Sequence, residues 1–289
     1  VESKKTHFAY ISEIKDPYPI VNNITWIFFW DTHFTRWFTD ERNKLKIQDY
    51  LQCFYQNKDQ EKLPNFWHNR LLYSFDIAGV NLETPLLEKK DCNESTKTIN
   101  FQTDPKYLND FKDIWVNVFN IANNHAFDCS SKGYLQTTKN LANLWVEYYG
   151  DESILKKEIN GVKVALMWFD DTWYNKDYKK EIEQISQLKN NWYIVILNIH
   201  WWFEYKTKAN ERQKKLAKKF VDAGVKLIVW HHPHVTQEHE VYKWVPIFYS
   251  LWNFIFDQPF EETLLWQAVA FSINGTWIKY NILNFQRNP

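Results

Sequence analysis

Glycine is scarce in this chain: it accounts for 6 of the 289 residues, whereas an average protein contains about 7% glycine. Glycine is the residue that best tolerates a positive φ angle, so a chain with many turns and little glycine must place other residues at such positions. Tryptophan, in contrast, occurs 16 times. The glycine shortage and the tryptophan excess together require an explanation.

Other features that the sequence lacks exclude several classes of protein. Three widely spaced cysteines, Cys53, Cys92 and Cys129, without Cys-x-x-Cys spacing indicate neither a disulfide framework nor a zinc knuckle. The 35 basic residues balance the 35 acidic ones, and no basic stripe carries interleaved aromatic residues, so we expect no nucleic-acid partner. No apolar run approaches the roughly 18 residues that span a bilayer. Because the chain begins at Val1, we expect a mature form or a fragment in which a signal peptide would not be visible.

Apolar runs alternate with amphipathic segments along the chain. The apolar runs predict strands at 23–31, 76–83, 192–201 and 225–230, a turn followed by a strand at 159–171, and a strand within 116–125 that runs into Asn123, Asn124 and His125. The tail 267–285 predicts a hairpin that turns at Asn274 and Gly275. The amphipathic segments predict helices at 39–56, 65–75, 104–114, 133–144, 178–189 and 211–224. This alternation predicts a layered α/β fold. The lack of repeats and linkers predicts one domain, 24–289, after an N-terminal extension, 1–23.

Polar side chains with metal-binding chemistry follow five of the predicted strands at their carboxyl ends. They are Asp31, His33, Glu83, Asn124, His125, His200, His232 and His234. In α/β sheets, ligands bind beyond the carboxyl ends of the strands. Imidazole and carboxylate ligands suit Zn, Mn or Fe, and a set this large could hold two ions. Two divalent ions about 3.5–4 Å apart would clamp a phosphoryl or acyl oxygen and lower the pKa of a bridging water toward about 7.

Six segments in this order, "DTHFTRW", "NLETPL", "NIANNHAFD", "HWWFEY", "WHHPHV" and "YSLWNFIFDQ", closely resemble the bacterial capsule-synthesis family called CapA or PgsA. The resemblance covers about 24–285. That family belongs to capsule and poly-γ-glutamate biosynthesis and is related to calcineurin-like metallophosphoesterases. The resemblance implies a layered α-β-β-α sandwich of the metallo-dependent phosphatase type with a C-terminal β-hairpin.

Matched by position, the resemblance also implies roles for individual residues. The metal ligands would be Asp31, His33, Glu83 as the bridging acid, Asn124, His200, His232 and His234. Groups beside the ligands or facing the substrate would be Arg36, Glu204, His231 and Asn253. His125 or His200 would serve as the catalytic proton shuttle.

The resemblance implies a metal-dependent hydrolase or transferase that acts on a phosphoester or on a linkage of an anionic polymer. It also implies membrane-bound capsule synthesis proteins as partners. The expected location is the cell envelope, either at the extracellular face or anchored to the membrane. Two other functions stay open: a non-catalytic polymer-assembly or anchoring component that keeps the fold, and a tryptophan-rich carbohydrate-binding protein.

Tryptophan stands where the resembling family has glycine at Trp30, Trp202, Trp230 and Trp252. The same replacement fits Trp115, Trp145, Trp168, Trp192, Trp244 and Trp266. These tryptophans could form a stacking surface for a sugar or polymer, could be ordinary core residues, or could be glycines encoded by UGA and read as tryptophan. Overpacking costs about 1–3 kcal/mol at each site, and about ten such sites would exceed a typical stability of about 5–15 kcal/mol. The summed cost of about ten such sites favours the third explanation, that these tryptophans are glycines encoded by UGA.

Overall fold

A computed structural model describes residues 23–32, 75–88, 92, 97, 99–113, 115–150, 153–172, 177–201, 203–251, 253–255, 265–274 and 277–286. The helices predicted at 39–56 and 65–75 lie outside these ranges, apart from residue 75. His33, Arg36, Trp202 and Trp252 also lie outside them. Trp30 and Trp266 lie inside described strands, but their side chains are not described.

Thirteen strands are present in the described part of the chain. In chain order they are β1 (Asn23–Thr32), β2 (Ile77–Leu82), β3 (Val118–Asn120), β4 (Glu147–Tyr149), β5 (Leu155–Ile159), β6 (Val162–Asp171), β7 (Ile194–Trp201), β8 (Val225–His231), β9 (His239–Tyr242), β10 (Val245–Phe248), β11 (Asn253–Ile255), β12 (Leu265–Asn274) and β13 (Trp277–Gln286). The long strands coincide with the predicted apolar runs. The strand predicted within 116–125 is wrong in extent, because β3 ends at Asn120 and the chain then turns.

Four α-helices lie in the same described ranges: α1 (Leu108–Asp113), α2 (Ser130–Asn143), α3 (Lys179–Asn190) and α4 (Glu211–Ala223). A 3₁₀ turn, Pro105–Tyr107, leads into α1, and the Asp104 side chain accepts a hydrogen bond from the Lys106 backbone N–H at its start. None of the described helices is long and apolar enough to cross a membrane.

The strands form two mixed sheets. In the first sheet, β1, β2, β3 and β4 are parallel neighbours, the antiparallel β12–β13 hairpin flanks β1, and β11 pairs in parallel with β1. In the second sheet the order is β5, β6, β7, β8, β10 and β9, with β6, β7, β8 and β10 parallel. All parallel strands of one sheet end at the same edge, so each sheet presents one carboxyl edge.

Three apolar clusters hold these elements together. Side chains alternate between the faces of a strand, so Ile27 joins one cluster while Trp26 and Phe28 join another. The Ile27 cluster packs the first sheet against α1 and α2, and the Trp26 cluster draws residues from both sheets. The third cluster packs the second sheet against α3 and α4. The fold is therefore mixed α/β, and its two sheets and four helices are compatible with the predicted sandwich.

Candidate metal centre

A row of polar residues crosses the carboxyl edge of the first sheet. Asp31 lies in register with Asn253 on one side and Asn81 on the other, and Asn81 lies in register with Asn120. Asn81 Nδ2 donates to Asp31 Oδ1 at 2.7 Å, and Asn120 Nδ2 donates to Asn81 Oδ1 at 3.1 Å. These amides fix the orientation of the Asp31 carboxylate.

The second sheet delivers its histidines at the matching edge. His200 at the end of β7 lies in register with His231 at the end of β8. The chain then turns at His232 and His234, which have φ angles of 89° and 51°. The His232 backbone N–H donates to Asp31 Oδ2 at 3.1 Å, so this loop joins the first sheet directly.

Trp230, where the resembling family has glycine, lies before the turn into the site. Trp230 lies inside β8 and is fully buried between the rings of Trp201 and Tyr249, with centroids 4.3 and 4.2 Å away. Its φ angle is not positive, and the left-handed conformations fall on His232 and His234 instead. The backbone at Trp230 therefore does not require glycine.

Three groups of side chains bring their ligand atoms within 4.8 Å of one another in the described part of the chain. They are Asp31, Glu83 and His234; Glu83, His200 and His232; and Glu204, His232 and His234. The first two groups are wholly buried and share Glu83. Either buried group could hold a metal ion, and Glu83 is common to both.

The Glu83 carboxylate is the clearest indication that a cation fits here. Both of its oxygens are buried, and neither accepts a hydrogen bond from the residues that the structure describes. The Nε2 atoms of His200 and His234 lie 3.6 and 3.9 Å from Glu83 Oε1. Burial, reinforced by the negative charge of Asp31, raises the pKa of Glu83 well above its usual value. Because an unpartnered buried carboxylate is costly, and because mixed nitrogen and oxygen donors suit Zn, Mn or Fe, the residues present fit a divalent metal.

Asp31 and His200 have the charge states that metal ligation requires. Burial opposes ionisation of Asp31, but the neighbouring imidazoles of His231, His234 and His200 lower its pKa below the usual range. Burial, together with the positive charge of His232, lowers the pKa of His200 well below its usual value. Asp31 is therefore an anion and His200 a neutral imidazole at neutral pH, which are the forms that bind metals.

His125 lies in the turn after β3 and outside the three ligand groups. Its Nδ1 lies 2.7 Å from Oδ2 of the buried Asp128. Asp128 also accepts hydrogen bonds of 2.7 Å from Lys97 Nζ and from the Phe101 backbone N–H. The Phe101 ring packs on the imidazole at a centroid distance of 4.1 Å. These contacts hold the imidazole in a single orientation.

Among the other residues singled out by the resemblance, Asn124, Asn253 and His231 contact members of the ligand groups, and Glu204 belongs to the third group. Asn124 Oδ1 lies 2.7 Å from His200 Nε2, and Asn253 Oδ1 lies 2.7 Å from His234 Nδ1. His231 Nδ1 lies 3.5 Å from Asp31 Oδ1. Glu204 is the exposed member: its side chain is 44% exposed, and its Oε1 lies 3.7 Å from His232 Nε2 at the solvent side.

The expectation that the cysteines form no disulfide is wrong for Cys92 and Cys129, which are bonded across a sequence separation of 37. Cys129 directly follows Asp128, so the bond ties the segment that contains Lys97 to the turn that carries His125. The sequence did not indicate this pair because two distant cysteines have no spacing signature. Cys53 lies outside the described residues.

Sequence reasoning also missed several amides and Asp128. Asn81, Asn120 and Asn198 are buried strand residues, and Asn123 is buried just after β3. Asn123 Nδ2 donates to the Leu82 carbonyl at 2.9 Å, and Asn198 Oδ1 lies 3.3 Å from His231 Nε2. A polar residue inside a buried apolar strand is unusual, so this signal could have identified Asn81 and Asn198.

Comparison with known proteins places the chain in a family. The family model described as "Bacterial capsule synthesis protein PGA_cap" matches residues 56–258. "Capsule biosynthesis protein CapA" of Bacillus anthracis is 35% identical in an alignment 237 residues long, and the match covers 72% of this chain and 57% of that protein. "PGA biosynthesis protein CapA" of Bacillus subtilis (strain 168) is 33% identical in an alignment 224 residues long, and the match covers 70% of this chain and 59% of that protein. The matches thus span less than three fifths of the length of these two relatives.

A solved structure shares the fold at low sequence identity. A hypothetical protein from Thermus thermophilus superposes with a TM-score of 0.55 at 9% identity, covering 92% of this chain and all of the other. The likeness concerns the fold alone. The family model and the two CapA relatives carry the assignment: this chain belongs to the bacterial capsule synthesis protein family PGA_cap.

Proposed function

We propose that this chain is a metal-dependent hydrolase or transferase of capsule or poly-γ-glutamate biosynthesis, acting at a phosphoester or at a polymer linkage. The observation that carries the proposal is Glu83, which is buried, accepts no hydrogen bond among the described residues, and belongs to two buried ligand groups at once. The two sheets with helices on their outer faces support the metallo-dependent phosphatase layering. The names of the two CapA relatives support the biosynthetic setting.

The chain's own residues would hold the metal pair. Asp31 and His234 would bind on one side of Glu83, and His200 and His232 would bind on the other. Divalent ions bound there would supply Lewis acidity and lower the pKa of a coordinated water. The amides of Asn81 and Asn253, which contact Asp31 and Nδ1 of His234, would keep these two side chains aimed at a metal, as outer partners do in known metal sites.

His125 is the residue best placed to move a proton. Asp128 holds Nδ1, which leaves Nε2 as the nitrogen that can give or take a proton. A buried carboxylate in this position fixes the tautomer and the orientation of the imidazole. The proposal assigns the proton role to His125 and uses His200 as a ligand, because His200 is fully buried within a ligand group.

Charge at the site indicates how an anionic substrate would bind. Asp31 and Glu204 place carboxylates at the floor and at the mouth of the site. These carboxylates would repel a phosphoester or a poly-γ-glutamate chain. We therefore expect substrate binding to require the bound cations.

The proposed location is the cell envelope, outside the cytoplasm, with membrane-bound capsule synthesis proteins as partners. The Cys92–Cys129 disulfide supports the location independently of the family, because structural disulfides persist mainly in oxidising compartments. The names of the CapA relatives give the second support.

A non-catalytic assembly component is the second candidate function. It is kept because the names of the two CapA relatives state a biosynthetic role and no reaction. A tryptophan-lined site has less support. The exposed Trp115, Trp145, Trp192 and Trp244 precede the amino ends of β3, β4, β7 and β10, whereas the ligands lie at the carboxyl ends.

Turnover assays with Mn²⁺ separate the two candidates. The enzyme proposal predicts hydrolysis of a generic phosphodiester or of a γ-glutamyl oligomer that requires Mn²⁺ and is lost in Asp31→Asn. His239→Ala, which changes an exposed histidine outside the ligand groups, is the matched control and should keep full activity. Metal binding without turnover of either substrate would favour the assembly component. Absence of metal binding would contradict the enzyme proposal.

A further inference from the structure

Four exposed tryptophans adopt a backbone conformation that favours glycine. Trp115, Trp145, Trp192 and Trp244 have φ angles of 68°, 59°, 66° and 68°. Their side chains are 61%, 92%, 85% and 87% exposed. Left-handed backbone is strained for any residue with a Cβ atom, and an indole this exposed gains little packing in return.

Three of these tryptophans end helices in the same way. Trp115, Trp145 and Trp192 follow α1, α2 and α3, and the next residue donates its backbone N–H to a carbonyl five residues earlier. These bonds are Val116 to Phe111 at 3.0 Å, Val146 to Leu141 at 3.4 Å and Tyr193 to Leu188 at 3.0 Å. The pattern is the Schellman motif, in which the left-handed residue is usually glycine.

The fourth helix provides an internal comparison. The residue after α4 is Gly224, with a φ angle of 129°. A Cβ atom there would lie 2.6 Å from Cδ of Lys189. Gly224 directly follows α4, whereas each of the three tryptophans lies two residues beyond the end of its helix, so the positive φ angle recurs after all four described helices at two different cap positions.

Trp244, the fourth of these tryptophans, lies in a hairpin turn that can be compared with another hairpin turn in the chain. Lys243 and Trp244 connect β9 to β10 with φ angles of 49° and 68°, and Asn160 and Gly161 connect β5 to β6 with φ angles of 51° and 78°. Both are two-residue turns with two positive φ angles, for which glycine is strongly preferred at the second position. Trp244 therefore occupies the position that Gly161 occupies in the equivalent turn.

We infer that the natural protein carries glycine at Trp115, Trp145, Trp192 and Trp244, encoded by UGA codons that its host reads as glycine. A single codon reassignment explains both the scarcity of glycine and the excess of tryptophan, because each UGA read as tryptophan removes one glycine and adds one tryptophan. The inference rests on backbone geometry at the amino edge of the sheets and is independent of the proposed metal chemistry.

The codons test this directly. The inference predicts UGA at all four positions and UGG at Trp201, a fully buried strand residue with ring packing. Peptides of the protein from its natural host should have the mass of glycine at the four positions. UGG at any of the four, UGA at Trp201, or tryptophan in the natural peptides would overturn the inference.

Variants of the chain as printed test the physical reason. Each Trp→Gly change at the four positions should shift the unfolding equilibrium toward the folded state by about tenfold. Trp→Ala at the same positions is the matched control, because it removes the exposed indole but keeps the Cβ atom. Leu135→Gly, at an exposed position inside α2, should destabilise the protein. An Ala gain equal to the Gly gain would contradict the backbone argument.

Discussion

Replacing Glu83 with glutamine should remove both metal ions, whereas changing an outer ligand should remove one. Glu83 belongs to both buried ligand groups, while Asp31 belongs to one and His200 to the other. Glutamine has the shape of glutamate and carries no charge, so Glu83→Gln should leave the fold intact. Asp31→Asn and His200→Ala should each leave one ion bound. The ion that remains in Asp31→Asn and the ion that remains in His200→Ala should lie on opposite sides of Glu83.

The size of the effect follows from the number of ligands. Each buried group contributes three ligand residues among those described, so one substitution removes a third of them. Loss of an outer partner of a metal ligand typically weakens metal binding by about 10–100-fold. Loss of a direct ligand should cost at least about 100-fold, which corresponds to about 2.7 kcal/mol of binding free energy. Glu83→Gln should impose this loss at both sites.

The metal content of each variant after equilibration with Mn²⁺ and dialysis gives the number of ions bound per chain. Isothermal titration calorimetry gives the Mn²⁺ affinity of each site. His239→Ala is the matched control, since His239 is exposed and packs its ring against Phe248, outside the ligand groups. The reasoning fails if Glu83→Gln retains as much metal as Asp31→Asn. It also fails if His239→Ala loses metal to the same extent as His200→Ala.

Three further predictions concern stability and the proton relay. Arg212 donates through Nη1 and Nη2 to the fully buried Asp171, so Arg212→Ala should lower the unfolding free energy by about 3 kcal/mol in denaturant titrations. Adding Asp171→Asn should restore part of this loss, and an unchanged double variant would contradict the explanation. Removing the Cys92–Cys129 bond by serine substitution should cost about 3–4 kcal/mol for a sequence separation of 37. Reductant should destabilise the wild type equally and leave the double serine variant unaffected. Asp128→Asn should lower kcat by about 100-fold or more at unchanged metal content, and Asp128→Glu should recover part of the rate. Loss of metal in Asp128→Asn would argue against a role confined to the proton relay.

The sequence was sufficient to predict the α/β class and the long strands. Apolar runs of four to six residues predicted β1, β7 and β8 because buried strands have few alternatives in composition. The turn into α1 was predictable because Asp104 and Pro105 form a typical helix start. The β9–β10 hairpin was not predicted. Its strands have four residues each, and its turn carries Lys243 and Trp244 in place of a recognisable glycine pair.

The composition of the candidate site was predictable in part, and its geometry was not. Polar residues at strand ends indicated that Asp31, Glu83 and His200 would meet, and the structure brings them together with His232 and His234. Only the family resemblance, which implies Glu83 as the bridging acid, indicated that Glu83 lies in two ligand groups. Composition and spacing could not indicate this, because it depends on how the two sheets face each other. Nor could they indicate positive φ angles at His232 and His234, since positive φ angles are uncommon for all residues other than glycine.

Anomalous diffraction from crystals soaked in Mn²⁺ would test the central claim most directly, because it locates each ion. We predict two anomalous peaks, one on each side of the Glu83 carboxylate, with Asp31 and His234 beside one and His200 and His232 beside the other. The same experiment on Glu83→Gln should give neither peak. Absence of anomalous density at Glu83 in the wild type, or peaks only at surface carboxylates, would contradict the account.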